Sequence, residues 1–118
     1  VNKDEAASKV QESRSVINNL KATNKSLAAQ IDQLGTQQES LFAEYEQLKQ
    51  QFGSDPTKEQ IAQLRQKTQE ISRLRSQRSE LRQQIDANAQ AAAAEADKAN
   101  QIASSAGIQG IDLAAEYQ

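Results

Sequence analysis

The sequence predicts an all-α protein, a long antiparallel two-helix coiled-coil hairpin with a short C-terminal tail. Three observations support this prediction. Apolar residues recur at alternating steps of three and four along residues 10–52, a Gly-Ser-Asp-Pro stretch interrupts the pattern at residues 53–56, and the charges of the two halves are complementary about that stretch. Because an apolar seam of this kind is stable only against another helix, we also expect the hairpin to oligomerise into a larger helical bundle or assembly.

The composition of the chain argues against an ordinary globular domain. Among its 118 residues, 36% are apolar, 3% are aromatic and 25% are charged, and Ala and Gln are abundant. This composition with heptad spacing is typical of long helices and coiled coils. The core available to it is a strip between helices, so we expect an isolated chain to be only marginally stable.

The first helix is expected over residues 1–52, with apolar residues at the a and d positions of six heptads. Asn24 occupies an a position, where a buried Asn commonly fixes register and oligomer state. It also begins an Asn-Lys-Ser glycosylation motif, but a glycan on the seam would prevent packing. The predicted seam residues of this helix are Val10, Ile17, Leu20, Leu27, Ile31, Leu34, Leu41 and Leu48.

The turn is expected at residues 53–56. Gly53 suits the left-handed position after a helix end, and Asp55 with Pro56 suits the cap and first position of a new helix. Thr57 with Gln60 offers an alternative start through a capping box. The sequence leaves both starts open.

The second helix is expected over residues 57–104. Beyond Asp86 it becomes rich in Ala, which keeps it helical and suits close approach to a neighbour. Arg75 and Arg78 are expected opposite Leu34 and Ile31, where their long stems either extend out of the seam or face a second hairpin. The predicted apolar seam residues of this helix are Ile61, Leu64, Ile71, Leu74, Leu81 and Ile85, with Thr68 and Arg78 as polar members.

The charge pattern favours the antiparallel hairpin. Net charge is +2 over residues 1–28, -3 over 29–52, +4 over 57–82 and -2 over 83–103. Folding the chain at Gly53 sets blocks of opposite sign beside each other, and charge pattern selects helix orientation in coiled coils.

The tail is expected over residues 105–118, after a flexible hinge at residues 104–107 and before a second interruption at Gly110. It is apolar although it lies outside the heptad register, which suggests a peptide that docks on a protein partner. The alternative is a tail that folds back on its own hairpin. The candidate partner-binding residues are Ile108, Ile111, Leu113 and Tyr117.

Residues that perform chemistry are scarce in this chain. It contains no His and no Cys, which removes the commonest general base and the usual zinc and iron-sulfur ligands. Its four Gly residues do not form a phosphate-binding loop. We therefore expect no enzyme activity, no catalytic or metal-binding residues and no cofactor.

Nucleic-acid binding and membrane insertion are both disfavoured. The second helix has a basic run that could contact phosphates, but Glu70 and Glu80 interrupt it and no aromatic residue lies beside it. The longest apolar run, residues 91–94, is far shorter than the roughly 20 residues of a membrane span, so we expect no transmembrane segment. The basic run consists of Arg65, Lys67, Arg73, Arg75, Arg78 and Arg82.

The expected function is that of a non-enzymatic structural or adaptor component of a multi-protein assembly of the secretion, envelope or virion type. It would act through coiled-coil packing and a docking tail, on a protein partner or a second copy. The alternatives are a helical chaperone or holdase and a nucleic-acid-binding hairpin that uses the arginines of the second helix.

The turn Ser54-Asp55-Pro56 between two helices resembles that of type III secretion needle subunits, which are shorter, and this likeness assigns no family. The chain begins at Val1 and contains no Met, and we expect it to be either a processed product or a trimmed piece. A processed N-terminus would favour a periplasmic, extracellular or virion location.

Overall fold

A computed structural model describes residues 2–117 and confirms the antiparallel hairpin. Helix α1 spans Lys3–Phe52 and packs against helix α2, which spans Lys58–Ser105. A short helix α3, Leu113–Glu116, follows in the tail. The described residues contain no β-strand.

Both ends of α1 are capped by local interactions. The Asn2 side-chain oxygen accepts a hydrogen bond of 2.8 Å from the backbone N–H of Glu5, which satisfies one of the free donors of the first turn. At the other end, Gly53 has a φ of +73° and its N–H donates to the carbonyl of Lys49. A left-handed residue after a helix end is the conformation in which Gly avoids a steric penalty.

A capping box begins α2. The backbone N–H of Thr57 donates to the Gln60 side chain at 2.9 Å, and the backbone N–H of Gln60 donates to the Thr57 hydroxyl at 3.1 Å. Of the two starts that the sequence left open, this is the one formed, and Pro56 lies before the helix.

The end of α2 is a defined Schellman cap where the sequence suggested a flexible hinge. Gly107, with φ +75°, donates to the Ser104 carbonyl at 3.1 Å, and Ile108 donates to the Ala103 carbonyl at 2.9 Å. These are the two backbone bonds of that motif. The chain therefore turns back at Gly107 in a specific direction.

Burial on α2 corrects one part of the predicted seam. Ile61 is 43% exposed and Thr68 is exposed, while Gln60 and Lys67 are half-buried in their place. We call the buried and half-buried residues that face the other helix the inward positions. On α2 they recur from Gln60 at steps of four and three residues, next at Leu64 and Lys67. Ile61 and Thr68 each lie one residue beyond an inward position, and one residue rotates a side chain by about 100° around the helix.

The described residues form two compact units, and both long helices contribute to each. The terminal unit comprises residues 2–26 and 84–117, and the turn unit comprises Leu27–Gln83. The core cluster of the terminal unit is Val10, Ile17, Ala96, Ala99, Ala103 and Leu113. The buried apolar residues of the turn unit are Leu27, Ile31, Ile71 and Leu74.

The remaining predicted seam residues are half-buried. In the terminal unit these are Leu20 and Ile85. In the turn unit they are Leu34, Leu41, Leu48, Leu64 and Leu81.

Candidate functional site

The four predicted partner-binding residues lie on the terminal unit of their own chain. Leu113 is fully buried in the core cluster, and Ile108, Ile111 and Tyr117 are partly buried against it. This arrangement corresponds to the fold-back alternative. Docking on a partner remains a prediction, and it requires the tail to leave this position.

Polar groups hold the tail at a defined place. The backbone N–H of Leu113 donates to the Asn100 side chain at 2.9 Å, and the Asn100 amide donates to Asp112 at 3.2 Å. Asp112 is also the N-cap of α3, because its carboxylate accepts a hydrogen bond of 3.3 Å from the N–H of Ala115. One residue of α2 thus orients both the cap and the first residue of α3.

Two residues of α1 complete the attachment. Arg14 donates twice to the Glu116 carboxylate, at 3.2 and 2.9 Å, and this hydrogen bonding raises the pKa of the Arg14 guanidinium above its ordinary value. The Lys21 ammonium lies 4.7 Å from the centre of the Tyr117 ring, within cation–π range. Arg14 and Glu116 are 102 residues apart, so no local sequence pattern could have paired them.

Asn24 is tied into the terminal unit by a second asparagine that the sequence reading did not single out. Its amide nitrogen donates to the Ile85 carbonyl at 3.2 Å, and its amide oxygen accepts from Asn88 at 2.9 Å. Beside this pair lies a groove of about 300 Å³ whose walls include Ile17 and Leu113. Asn24, Asn88 and Lys21 supply polar groups to a groove whose other walls are mostly apolar.

The turn unit exposes two large apolar side chains on one flank. Phe42 is 54% exposed and Ile61 is 43% exposed. Phe42 directly follows the inward residue Leu41, and Ile61 directly follows the inward residue Gln60. In an antiparallel pair of helices, the residues that follow the inward positions lie on the same side of both helices. Both residues therefore lie on the same side of the hairpin.

Two shallow grooves of about 460 and 280 Å³ adjoin Phe42 on this side. Phe42, Ile71 and Arg75 line both grooves. The Phe42 ring also lies 6.3 Å from the ring of Tyr45, centre to centre. We call the residues that line the two grooves the Phe42 face: Gly35, Gln38, Glu39, Phe42, Ala43, Tyr45, Thr68, Ile71, Ser72, Arg75 and Arg78.

Arg78 occupies a different place from the one expected. Its guanidinium lies against Gly35 and donates to the Gln38 side chain at 2.9 Å, while its Nε is buried without a hydrogen-bond partner. A Cβ on residue 35 would lie 3.2 Å from the nearest guanidinium nitrogen. Gly35 thus makes room for the arginine, and an isolated Gly within a predicted helix was the available signal.

The structure divides the basic run of α2 into separate environments. Lys67 pairs with Glu44 at 3.0 Å, and this hydrogen bond raises the pKa of Lys67. Arg78 lies between the helices, and Arg75 lies on the Phe42 face. Arg73 directly precedes the inward residue Leu74, so the heptad places it on the opposite flank of the hairpin. Lys67, Arg73, Arg75 and Arg78 therefore do not share one surface, whereas Arg65 and Arg82 lie on the same flank as Arg75.

Within residues 2–117, no group of three or more His, Cys, Asp or Glu side chains lies close enough to hold a metal ion. The helices of the described chain contain no stretch that is both long and apolar enough to cross a membrane.

Comparisons with protein-family models, with curated proteins and with solved structures found no match for this chain.

Proposed function

We propose that the chain is a non-enzymatic structural or adaptor component of a multi-protein assembly, and that it joins its neighbours through the Phe42 face. The observation that supports this most is the uneven covering of the two units. The terminal unit covers its core with its own tail, whereas the turn unit leaves Phe42 54% exposed above a half-buried seam. Exposed apolar patches on helical surfaces commonly mark interaction sites.

The energy available to a partner at the turn unit is substantial. Five leucines of its seam are only half-buried, and complete burial of a leucine contributes about 1.5–3 kcal/mol. A partner that covered the remainder of such a side chain would gain at most roughly 1 kcal/mol for each. None of the five leucines lines the Phe42 face, so Phe42 itself is its main apolar contribution. This gain must exceed the entropic cost of association, so a helical partner with a complementary surface is required.

The tail is a second attachment in this proposal. Its polar contacts with α1 are exposed, and exposed ion pairs contribute at most about 1 kcal/mol. A partner that offers Leu113 an equally apolar site could therefore compete with the terminal unit for the tail. Removal of residues 107–118 should then weaken assembly as well as stability.

A holdase is the second candidate, and the exposed Phe42 and Ile61 side chains support it. A holdase binds many unfolded chains, whereas a structural component binds few partners at fixed stoichiometry. The nucleic-acid alternative has less support, because Lys67 is paired and Arg78 lies within the seam.

Site-specific photo-crosslinking in the cells that make the protein tests this proposal. A photoreactive amino acid at Phe42 should give one or a few discrete protein adducts. The matched control is Val16, which is 42% exposed but belongs to the terminal unit, and it should give none. A smear of many adducts from both positions would support a holdase, and the absence of adducts from Phe42 would contradict the proposal.

A further inference from the structure

We infer that the partner of the Phe42 face is a second copy of this chain, with the two hairpins side by side and their turns at the same end. The inference rests on the proposed function and names its partner. It follows from the charges that border the Phe42 face, from their lack of partners within the chain, and from the symmetry of a two-fold dimer.

Opposite charges border the Phe42 face on its two sides. On α1, three acidic residues recur at intervals of seven on the same flank as Phe42, namely Asp32, Glu39 and Glu46. On α2, the corresponding flank carries Arg65, Arg75 and Arg82. Glu39 and Arg75 line the same groove beside Phe42. The face thus has an apolar centre, a rim on α1 that is acidic except for Lys49 near the turn, and a basic rim on α2.

The opposite side of the turn unit has a different character. The residues that precede its inward positions are mostly glutamines and include no large apolar side chain. They are Gln30, Gln33, Gln37, Ser40, Glu44, Gln47 and Gln51 on α1, and Glu59, Gln63, Gln66, Glu70, Arg73, Gln77 and Glu80 on α2. Only the Phe42 face combines apolar area with separated charge.

The six rim charges have no ion partner within the described chain. Residues 2–117 form two ion pairs, Arg14–Glu116 and Lys67–Glu44, and neither includes a rim residue. Five of the six rim residues are exposed and Glu46 is half-buried. Their charges are available to another molecule, and a copy of this chain supplies the complementary pattern.

Symmetry then selects the orientation of the two copies. Homodimers are commonly two-fold, with the same face on both subunits. A two-fold axis that runs along the helices places the acidic rim of each copy against the basic rim of the other. A two-fold axis that runs across the helices places like rims together, which is repulsive. The first arrangement puts both turns at the same end.

The levels of the charges agree with this dimer. The Lys67–Glu44 ion pair shows which residues of α1 and α2 lie side by side. Because the helices are antiparallel, two residues before Lys67 on α2 correspond to two residues after Glu44 on α1. Arg65 therefore lies about level with Glu46. Arg75 falls between the levels of Asp32 and Glu39. A two-fold axis along the helices permits no axial shift, so Arg65 and Arg75 each meet a carboxylate of the second copy, and Arg82 lies about three residues beyond the level of Asp32.

A reciprocal charge reversal in the full-length protein tests the inference. One variant carries Asp32→Lys, Glu39→Lys and Glu46→Lys, and the other carries Arg65→Glu, Arg75→Glu and Arg82→Glu. By sedimentation velocity each should be monomeric where the wild type is dimeric, and their equimolar mixture should form a heterodimer. The matched control reverses three charges of the opposite flank, Glu70→Lys, Arg73→Glu and Glu80→Lys, and should dimerise like the wild type.

Two further measurements keep the test decisive if a triple variant loses helix content by circular dichroism. Phe42→Ala should weaken dimerisation at least about tenfold, as expected for a central aromatic contact. The chain has no Cys, so a single Ser54→Cys variant should crosslink through a short bismaleimide only if the turns lie together.

The outcomes separate this inference from the proposed function. A monomeric wild type, a mixture that fails to associate, or a Ser54→Cys variant that does not crosslink would overturn the dimer. If Phe42 still crosslinks to a different protein in cells, the proposed function stands with another partner. If it crosslinks to nothing, both fail.

Discussion

The terminal unit and the turn unit are built from the same two helices, yet they bury their apolar residues to different extents. In the terminal unit Val10, Ile17 and Leu113 are at most 2% exposed. In the turn unit the buried seam residues retain 5–9% exposure, and five leucines are only half-buried. Two helices alone leave the sides of their seam open to solvent, and a third element is needed to close it.

Side-chain size explains how the third element fits in the terminal unit. Ala96, Ala99 and Ala103 form the α2 side of that core. Their small side chains leave space beside Ile17, and Leu113 of the tail fills it. At the heptad positions equivalent to Ala96 and Ala103 the turn unit has the larger side chains of Ile61, Thr68, Arg75 and Arg82, and no segment of its own chain covers the grooves beside them. We expect a partner to provide there what the tail provides in the terminal unit.

The largest expected effect is that of removing the tail. Deletion of residues 107–118 exposes the core that Leu113, Ile108 and Ile111 cover, and it should lower the free energy of unfolding by about 3–5 kcal/mol. Urea denaturation measures the change, and amide exchange should accelerate in the terminal unit but not at residues 64–81. Unchanged stability would show that the tail is not part of this core.

The same substitution in the two units should have unequal effects. Ile17 is 1% exposed and Ile61 is 43% exposed. Ile17→Ala should cost about 3 kcal/mol, typical of a buried aliphatic truncation, whereas Ile61→Ala should stay within about 0.5 kcal/mol. Thermal and urea unfolding compare the two at protein concentrations low enough for the chain to be monomeric. Equal losses would contradict the burial difference, and with it the corrected seam of α2.

The polar pair of the terminal unit should contribute less. Asn24→Ala removes two hydrogen bonds and leaves the Asn88 amide and the Ile85 carbonyl without partners, so we expect a loss of about 1–2 kcal/mol. Asn18 is exposed on the same helix, and Asn18→Ala is the control, with an effect within about 0.5 kcal/mol. A greater loss at Asn18 would place the inward side of α1 elsewhere.

The smallest expected effect concerns the ion pair that holds the tail. A double-mutant cycle of Arg14→Ala and Glu116→Ala should give a coupling of at most about 1 kcal/mol that decreases with salt. Because the pKa of Arg14 is raised, its part of this stabilisation is fully present below its ordinary pKa and is lost only as the pH rises through the raised value.

The measurement is a urea titration at several pH values. Because Arg14 stays protonated throughout this range, the coupling between Arg14 and Glu116 should be the same at neutral pH and at about pH 10. A coupling that falls between these values would show that Arg14 is not the charged partner.

Several elements of this fold were predictable because their signals are local. The heptads of α1 and the Gly53 turn predicted helices at residues 1–52 and 57–104, and the ends of the observed helices, Lys3–Phe52 and Lys58–Ser105, differ from these by at most two residues. Helix propensity, capping and seam periodicity each depend on residues a few positions apart. The register at Ile61 was harder, because the residue that faces inward there is the polar Gln60, so the apolar pattern points to its neighbour.

The sequence alone was sufficient to predict the class of fold, the place of the turn and the orientation of the two helices. These features depend on apolar periodicity and on blocks of charge, which are patterns of residues close together in the chain. The tertiary structure decided where the tail lies, which asparagine binds Asn24 and where the Arg78 guanidinium goes. Each of these contacts joins residues 13 to 102 positions apart. Which residues meet depends on the shape of the packed helices and on hydrogen-bond geometry in three dimensions. A pattern of neighbouring residues in the sequence does not predict either.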